Sequence, residues 1–194
     1  MTHTMNREHW LTRAALEIEA ALFAPLGKAL PAKWRVACSW PSSRASKTNN
    51  RTIGQCFDPS ASADGTTELL VSMSEDDAFE VLAILAHEMV HAVEGVAAGH
   101  GPAFKRTATA IGLTGKMTAT VAGDAFKRSA TPLLAILGDY PHAAVSLATR
   151  KKQTTRMVKM ACGDCGYIAR TSQKNIDTHG PALCPCNHEP MVEG

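Results

Sequence analysis

The segment LAHEMVHAVEG contains the residues whose types and spacing best suit chemistry: His87, Glu88 and His91. On a helix, histidines four residues apart share one face, separated along the axis by one turn of about 5.4 Å, so both imidazoles can reach a single ion. Glu88 is adjacent to one of them in sequence but leaves the helix at a different azimuth. That position suits a general base taking a proton from water beside the ion better than it suits a ligand. A catalytic zinc site has three protein ligands and one open position. His100 is the candidate for the third ligand: it follows His91 by nine residues, after Gly95 and Gly99 allow the chain to leave the helix and turn back, and Gly101 beside it adds little steric demand. Glu94, three residues after His91 on the same stripe, competes for that place or hydrogen-bonds a ligand imidazole. The expected chemistry is hydrolysis, with zinc polarising a peptide carbonyl and Glu88 deprotonating the attacking water. Tyr140 and His142 are candidate oxyanion donors, although a packed tyrosine and a surface histidine are commoner roles for such residues.

A second set of metal-ligand types closes the chain. MVKMACGDCGYIARTS places Cys162 and Cys165 in a CxxC knuckle, and ALCPCNHEPM brings Cys184 and Cys186 after a gap suited to a zinc ribbon, so a structural zinc with four thiolates is expected. The second pair is CxC rather than CxxC, which leaves His179 or His188 as conceivable substitutes for one thiolate. The two remaining cysteines, Cys38 and Cys56, read as buried free thiols. Lys151, Lys152, Arg156, Lys159, Arg170 and Lys174, on or beside the ribbon, are candidate contacts to nucleic-acid phosphates, with Tyr167 alone available for base stacking.

These residues need elements to hold them. Between residues 6 and 24, Trp10, Leu11, Ala14, Ile18, Leu22 and Phe23 recur at helical spacing, and three segments around 33–40, 51–57 and 67–73 have strand character. A small antiparallel sheet is expected from them. Ser74, followed by an acidic first turn, predicts the start of a long helix that continues through HEMVH to Gly95; Pro102 predicts a second helix to Ile111, and Pro132 a third ending near Gly138. Around residue 150 the periodicity fades into a basic connector. The reading is therefore an α+β domain over residues 1–149 and a ribbon over 150–194, the latter too short to fold on apolar burial alone.

Composition excludes several classes. With 45% hydrophobic and 20% charged residues, the 194-residue chain resembles ordinary soluble globular proteins and neither disordered nor fibrous ones. Its apolar runs fall far short of the roughly 20 residues needed to cross a bilayer. The first residues, MTHTMNREHWLTR, lack the apolar core of a secretory signal, so cytoplasmic residence is the expectation. The net charge of +2 conceals an asymmetry: Glu75, Asp76, Asp77, Glu80, Glu88 and Glu94 sit in a stretch without Lys or Arg, whereas residues 101–160 are strongly basic. A basic second half suggests a polyanionic partner.

The segment LAHEMVHAVEGVAAGHGPAFKR resembles the signature of SprT-like metallopeptidases, the group that includes the Spartan proteases: an HExxH helix is followed after a short loop by His-Gly-x-x-Phe, matched by His100, Gly101 and Phe104. The resemblance implies that His87, His91 and His100 are zinc ligands and Glu88 the catalytic base, and it extends to the tail, since many bacterial members close with a zinc ribbon. It further implies cleavage of proteins, Spartan-type members acting on proteins crosslinked to DNA. The competing expectation is a nucleic-acid-binding ribbon protein whose HExxH domain serves only as a regulatory scaffold. An intact glutamate between two ligand histidines favours the enzyme.

Overall fold

The computed structural model describes residues 6–44, 51–148 and 156–194, and the chain divides into two compact units, Met1–Leu147 and Ala148–Gly194. Lys151 and Lys152 lie outside the described residues. No helix among the described residues is long and apolar enough to cross a membrane.

The first unit is α+β. Helix α1 (Arg7–Ile18) is capped by Asn6, whose side chain accepts from the His9 amide, and it buries Trp10, Leu11, Ala14, Ala15 and Ile18. Strands β1 (Trp34–Cys38), β2 (Gly54–Phe57) and β3 (Thr67–Val71) form one sheet in the order β1-β3-β2. The expected all-antiparallel sheet is not what forms. β2 pairs antiparallel with β3, Gly54 opposite Val71, but β1 runs parallel to β3, Trp34 opposite Thr67. The long connection after β1 lets β2 pass to the far side of β3, so consecutive strands are not neighbours and β2 becomes an edge. Alternation along the strands buries Val36, Cys38, Cys56, Leu69 and Val71 on one face, which places both isolated cysteines in the core.

Helix α2 (Ala78–Glu94) packs on β2 and β3. It starts later than expected: Asp77, not Ser74, is the cap, its carboxylate accepting from the Glu80 amide at 2.9 Å, while Ser74 is engaged with Ser72 and Glu75. Leu82, Leu85, Ala86 and Met89 are fully buried. Gly95, at φ 83°, ends the helix, and a single 3-10 turn, Val96–Ala98, leads to Gly99 at φ 52°. Helix α3 (Pro102–Ala110) then returns along α2.

A hairpin of β4 (Leu113–Lys116) and β5 (Ala119–Ala122) follows, and then α4 (Asp124–Leu137). The sequence gives Pro132 as a helix start, but the helix begins eight residues earlier and contains Pro132 on its exposed side, while Phe126, Ala130, Leu133 and Leu137 face the core. The hairpin is clasped at its base, where the Gly123 amide donates to Gly112 O at 3.1 Å; a Cβ on Gly123 would lie 2.6 Å from that oxygen.

The second unit comprises β6 (Met157–Ala161), β7 (Ile168–Ser172), α5 (Gln173–His179) and β8 (Val192–Glu193), with sheet order β7-β6-β8. Its buried cluster consists of Met160, Met191, Cys162 and Cys184.

Candidate active site and metal centres

Helix α2 and the glycine-bounded turn after it bring three imidazoles together. His91 Nε2 lies 3.2 Å from His100 Nε2, which lies 3.3 Å from His87 Nε2. Tetrahedral zinc with bonds of about 2.0–2.1 Å holds neighbouring nitrogens about 3.3–3.4 Å apart, so the donor set fits that ion in type and in span. Burial pulls the His87 imidazole down to about 3, helped by the other two histidines, and pulls His91 down to about 4. Both are therefore neutral at ordinary pH, the form in which an imidazole can coordinate a metal. The Phe104 ring backs all three, its centroid 4.5 Å from His91, 4.8 Å from His87 and 4.9 Å from His100.

His87 is oriented from the far side: its Nδ1 lies 2.8 Å from Thr120 Oγ1 on β5. A hydrogen directed from Nδ1 to that hydroxyl leaves the Nε2 lone pair facing the cluster. Glu94 does not join the group. Its Oε1 is 2.6 Å from Lys28 Nζ and accepts from Thr107 Oγ1 at 2.5 Å, which ties the end of α2 to α3 and removes Glu94 as a competing ligand.

Glu88 sits apart in environment as well as azimuth. It is only 6% exposed, and burial raises its carboxyl to about 8, opposed by the Cys56 backbone amide, which donates to it. Gly54 makes room for it: a Cβ there would stand 2.5 Å from Glu88 Oε1 and 2.7 Å from Ile84 Cγ2. Positive charge among the imidazoles would draw the carboxyl back toward its ionised form.

His87, Glu88, His91 and His100 line a cleft of about 650 Å³ bordered by Gly54, Cys56 and the β4–β5 hairpin. The outer edge of β2 opens onto it and has no strand partner among the described residues. The Ser72 amide donates to Ile53 O at 2.8 Å, so by alternation Gly54 and Cys56 turn their backbone groups away from β3. Tyr140 and His142 are not part of the lining. Tyr140 is buried against Trp10 with ring centroids 4.9 Å apart, and His142 Nε2 lies 2.9 Å from Met73 O.

In the second unit the four sulfurs of Cys162, Cys165, Cys184 and Cys186 gather with separations of 3.5 Å for Cys165–Cys184, 3.3 Å for Cys184–Cys186 and 4.0 Å for Cys162–Cys186. Zinc–sulfur bonds of about 2.3 Å require roughly 3.8 Å between thiolates, so this group also fits a metal. Neither His179 nor His188 belongs to it. Backbone amides of Cys165 and Asp164 draw the Cys162 thiol down to about 7. Of the candidate phosphate contacts, Arg156 and Lys174 are exposed, and Lys159 and Arg170 face each other directly across β6 and β7.

Thr120, Gly54 and the hairpin are the participants that spacing could not reveal. Each acts across a long sequence separation, and neither a threonine nor a glycine carries a signal by itself. No family model matches the chain, and neither a curated protein nor a solved structure matches it.

Proposed function

We propose that this chain is a zinc-dependent endopeptidase of SprT-like type, acting on protein substrates. The observation that carries the reading is the convergence of three imidazoles beside a buried glutamate, in a cleft bordered by an unpaired strand edge. His87, His91 and His100 would hold the ion. When bound, zinc supplies Lewis acidity, polarising a carbonyl and acidifying water. The backbone groups of Gly54 and the carbonyl of Cys56, whose amide is held by Glu88, can pair an extended peptide as an added strand, which carries its carbonyl into the cleft. Glu88 takes the proton from the attacking water and returns it to the departing amine. Thr120 holds His87 in the tautomer that leaves Nε2 free. The chain's resemblance to SprT-like metallopeptidases over residues 85–106 supports the same conclusion. So does the four-cysteine group, which would hold a second, structural zinc.

A DNA partner belongs to the same proposal and has its own observation. Lys159 and Arg170 are exposed, directly opposed and without ion pairs among the described residues, a like-charge juxtaposition that an anionic polymer would relieve. A nucleic-acid-binding scaffold without activity would not require a buried carboxyl beside the imidazoles.

The test is to incubate zinc-loaded protein with an unfolded protein and with a DNA-binding protein, with and without DNA, alongside Glu88→Gln. The parent should generate fragments, and Glu88→Gln should keep its zinc while losing about 10²- to 10⁴-fold in rate. A variant that cleaves as fast as the parent would refute the assignment of the base.

A further inference from the structure

Among the described residues, the cleft that holds the imidazoles is lined by three cations from two separate elements: Arg44 and Arg51 from the connection between β1 and β2, and Lys116 from the β4–β5 hairpin. Arg51 is committed, its Nη2 2.6 Å from Glu75 Oε1. Arg44 and Lys116 are exposed and form no ion pair among the described residues. The sole acid in the lining among the described residues is Glu88, which is buried. The rim therefore carries uncompensated positive charge next to a site suited to a cation, and such a cleft concentrates anions.

Phosphates and carboxylates could both answer that charge, and the remaining lining distinguishes them. No Phe, Tyr or Trp lines the cleft among the described residues, so a single-stranded nucleic acid would find no aromatic platform for its bases there. The β2 edge offers the Gly54 and Cys56 carbonyls as acceptors, and a phosphodiester backbone has no donor to give them, whereas a peptide does. Ile53, Ile84 and Val96 add apolar wall suited to side-chain contact. In an extended peptide successive residues advance by about 3.3 Å, so a cation on the rim reaches side chains only a few residues from the aligned bond.

We infer that the cleft selects protein segments carrying aspartate or glutamate within a few residues of the bond presented to Glu88, with Arg44 and Lys116 as the specificity-determining residues. This rests on the proposed reading that a peptide lies along β2. Two screened ion pairs of ordinary strength give a preference of roughly three- to tenfold, shrinking as salt rises.

The test reads binding separately from turnover. Two fluorescein-labelled peptides of identical length are used, one with two aspartates beside its central bond and the other with asparagines. Each is titrated into zinc-loaded Glu88→Gln protein at low and high salt, and into the same protein also carrying Arg44→Gln and Lys116→Gln. Zinc content and tryptophan fluorescence verify the fold of each variant. The expected result is a three- to tenfold tighter complex with the acidic peptide at low salt, falling to within about twofold when both cations are removed. Equal binding of the two peptides, binding of neither, or a preference that survives removal of both cations overturns the inference. A single-stranded oligonucleotide bound through Arg44 and Lys116 in preference to the acidic peptide overturns it as well, making the rim a reader of phosphates. Cleavage by the parent is scored independently. If the preference tracks the two cations and nothing is cut, the selectivity stands and the peptidase reading falls; if both peptides are cut and bound alike, the reverse holds.

Discussion

Thr120 reaches His87 from a hairpin 33 positions along the chain and meets its Nδ1 at 2.8 Å. Partners of this kind fix the ring and tautomer of a ligand, and their loss commonly weakens metal affinity by about 10- to 100-fold. Thr120→Val should therefore release zinc to a competing chelator about tenfold more readily, while Thr120→Ser should stay near the parent. Residue-level charge also predicts how the metal-free protein responds to pH. His87 and His91 are held near 3 and 4, below the ordinary histidine value of 6.5, so their contribution to stability is present above pH 6.5 and lost as pH falls toward 4. Glu88 is raised from 4.5 to about 8, so its contribution is present below pH 4.5 and lost as pH rises through 8. Two groups favour higher pH below 6.5 and one favours lower pH above it. Stability of the metal-free protein should peak near pH 6.5, and Glu88→Gln should flatten the alkaline decline. Denaturation followed by tryptophan fluorescence checks this in the first unit, because Trp10, Trp34 and Trp40 all lie there.

At the scale of elements, the strongest signals were local. The apolar periodicity of α1 and α2, the glycines at 95 and 99 and the proline opening α3 are properties of short windows, and the structure has a helix at each, although α1 ends at Ile18, with a π-turn over Glu19–Phe23 completing the apolar stretch, and α2 starts only at Ala78. What the sequence concealed was non-local. The parallel pairing of β1 with β3 depends on where a long connection travels, and the β4–β5 hairpin is only four residues a side. Pro132 was misleading because a proline on the solvent side of a helix can be tolerated in its interior. Within the candidate site, His87, Glu88 and His91 were legible because spacing alone puts them on one helix, and His100 because the glycines before it let the chain turn back. The supporting hydroxyl and the open space at Gly54 were not. The capping of α2 is a further local feature with a measurable worth: Asp77→Ala removes the acceptor for the Glu80 amide and should lower stability by about 1 kcal/mol, read by chemical denaturation with zinc present.

Taken whole, the two units draw on different sources of folding energy. The first buries Trp10, Phe23, Phe104, Phe126 and a set of leucines at essentially zero exposure, a core sufficient without metal. The second has two buried methionines and two buried cysteines, and its four sulfurs lack any covalent link. A structural zinc there would be folding energy outright. Metal analysis should accordingly find two zinc ions per chain. Chelation should then render the segment from residue 156 onward protease-sensitive, with backbone amide signals collapsing to unfolded positions, while the tryptophan-containing unit remains folded. Persistence of the second unit in excess chelator would disprove its dependence on metal.

The placement of Gly54 separates in time two events that look simultaneous in the finished molecule. His87, His91 and His100 span a short stretch of chain, so bringing them together closes only a small loop and can accompany formation of α2 and its turn. The cavity for the Glu88 side chain and the amide that meets it come from β2, more than 30 positions earlier, and exist only after the sheet has docked. On the proposed reading, a nascent or refolding chain captures its ion before it acquires a working base. It would pass through a loaded but inert stage, and cutting would wait for long-range assembly of the domain.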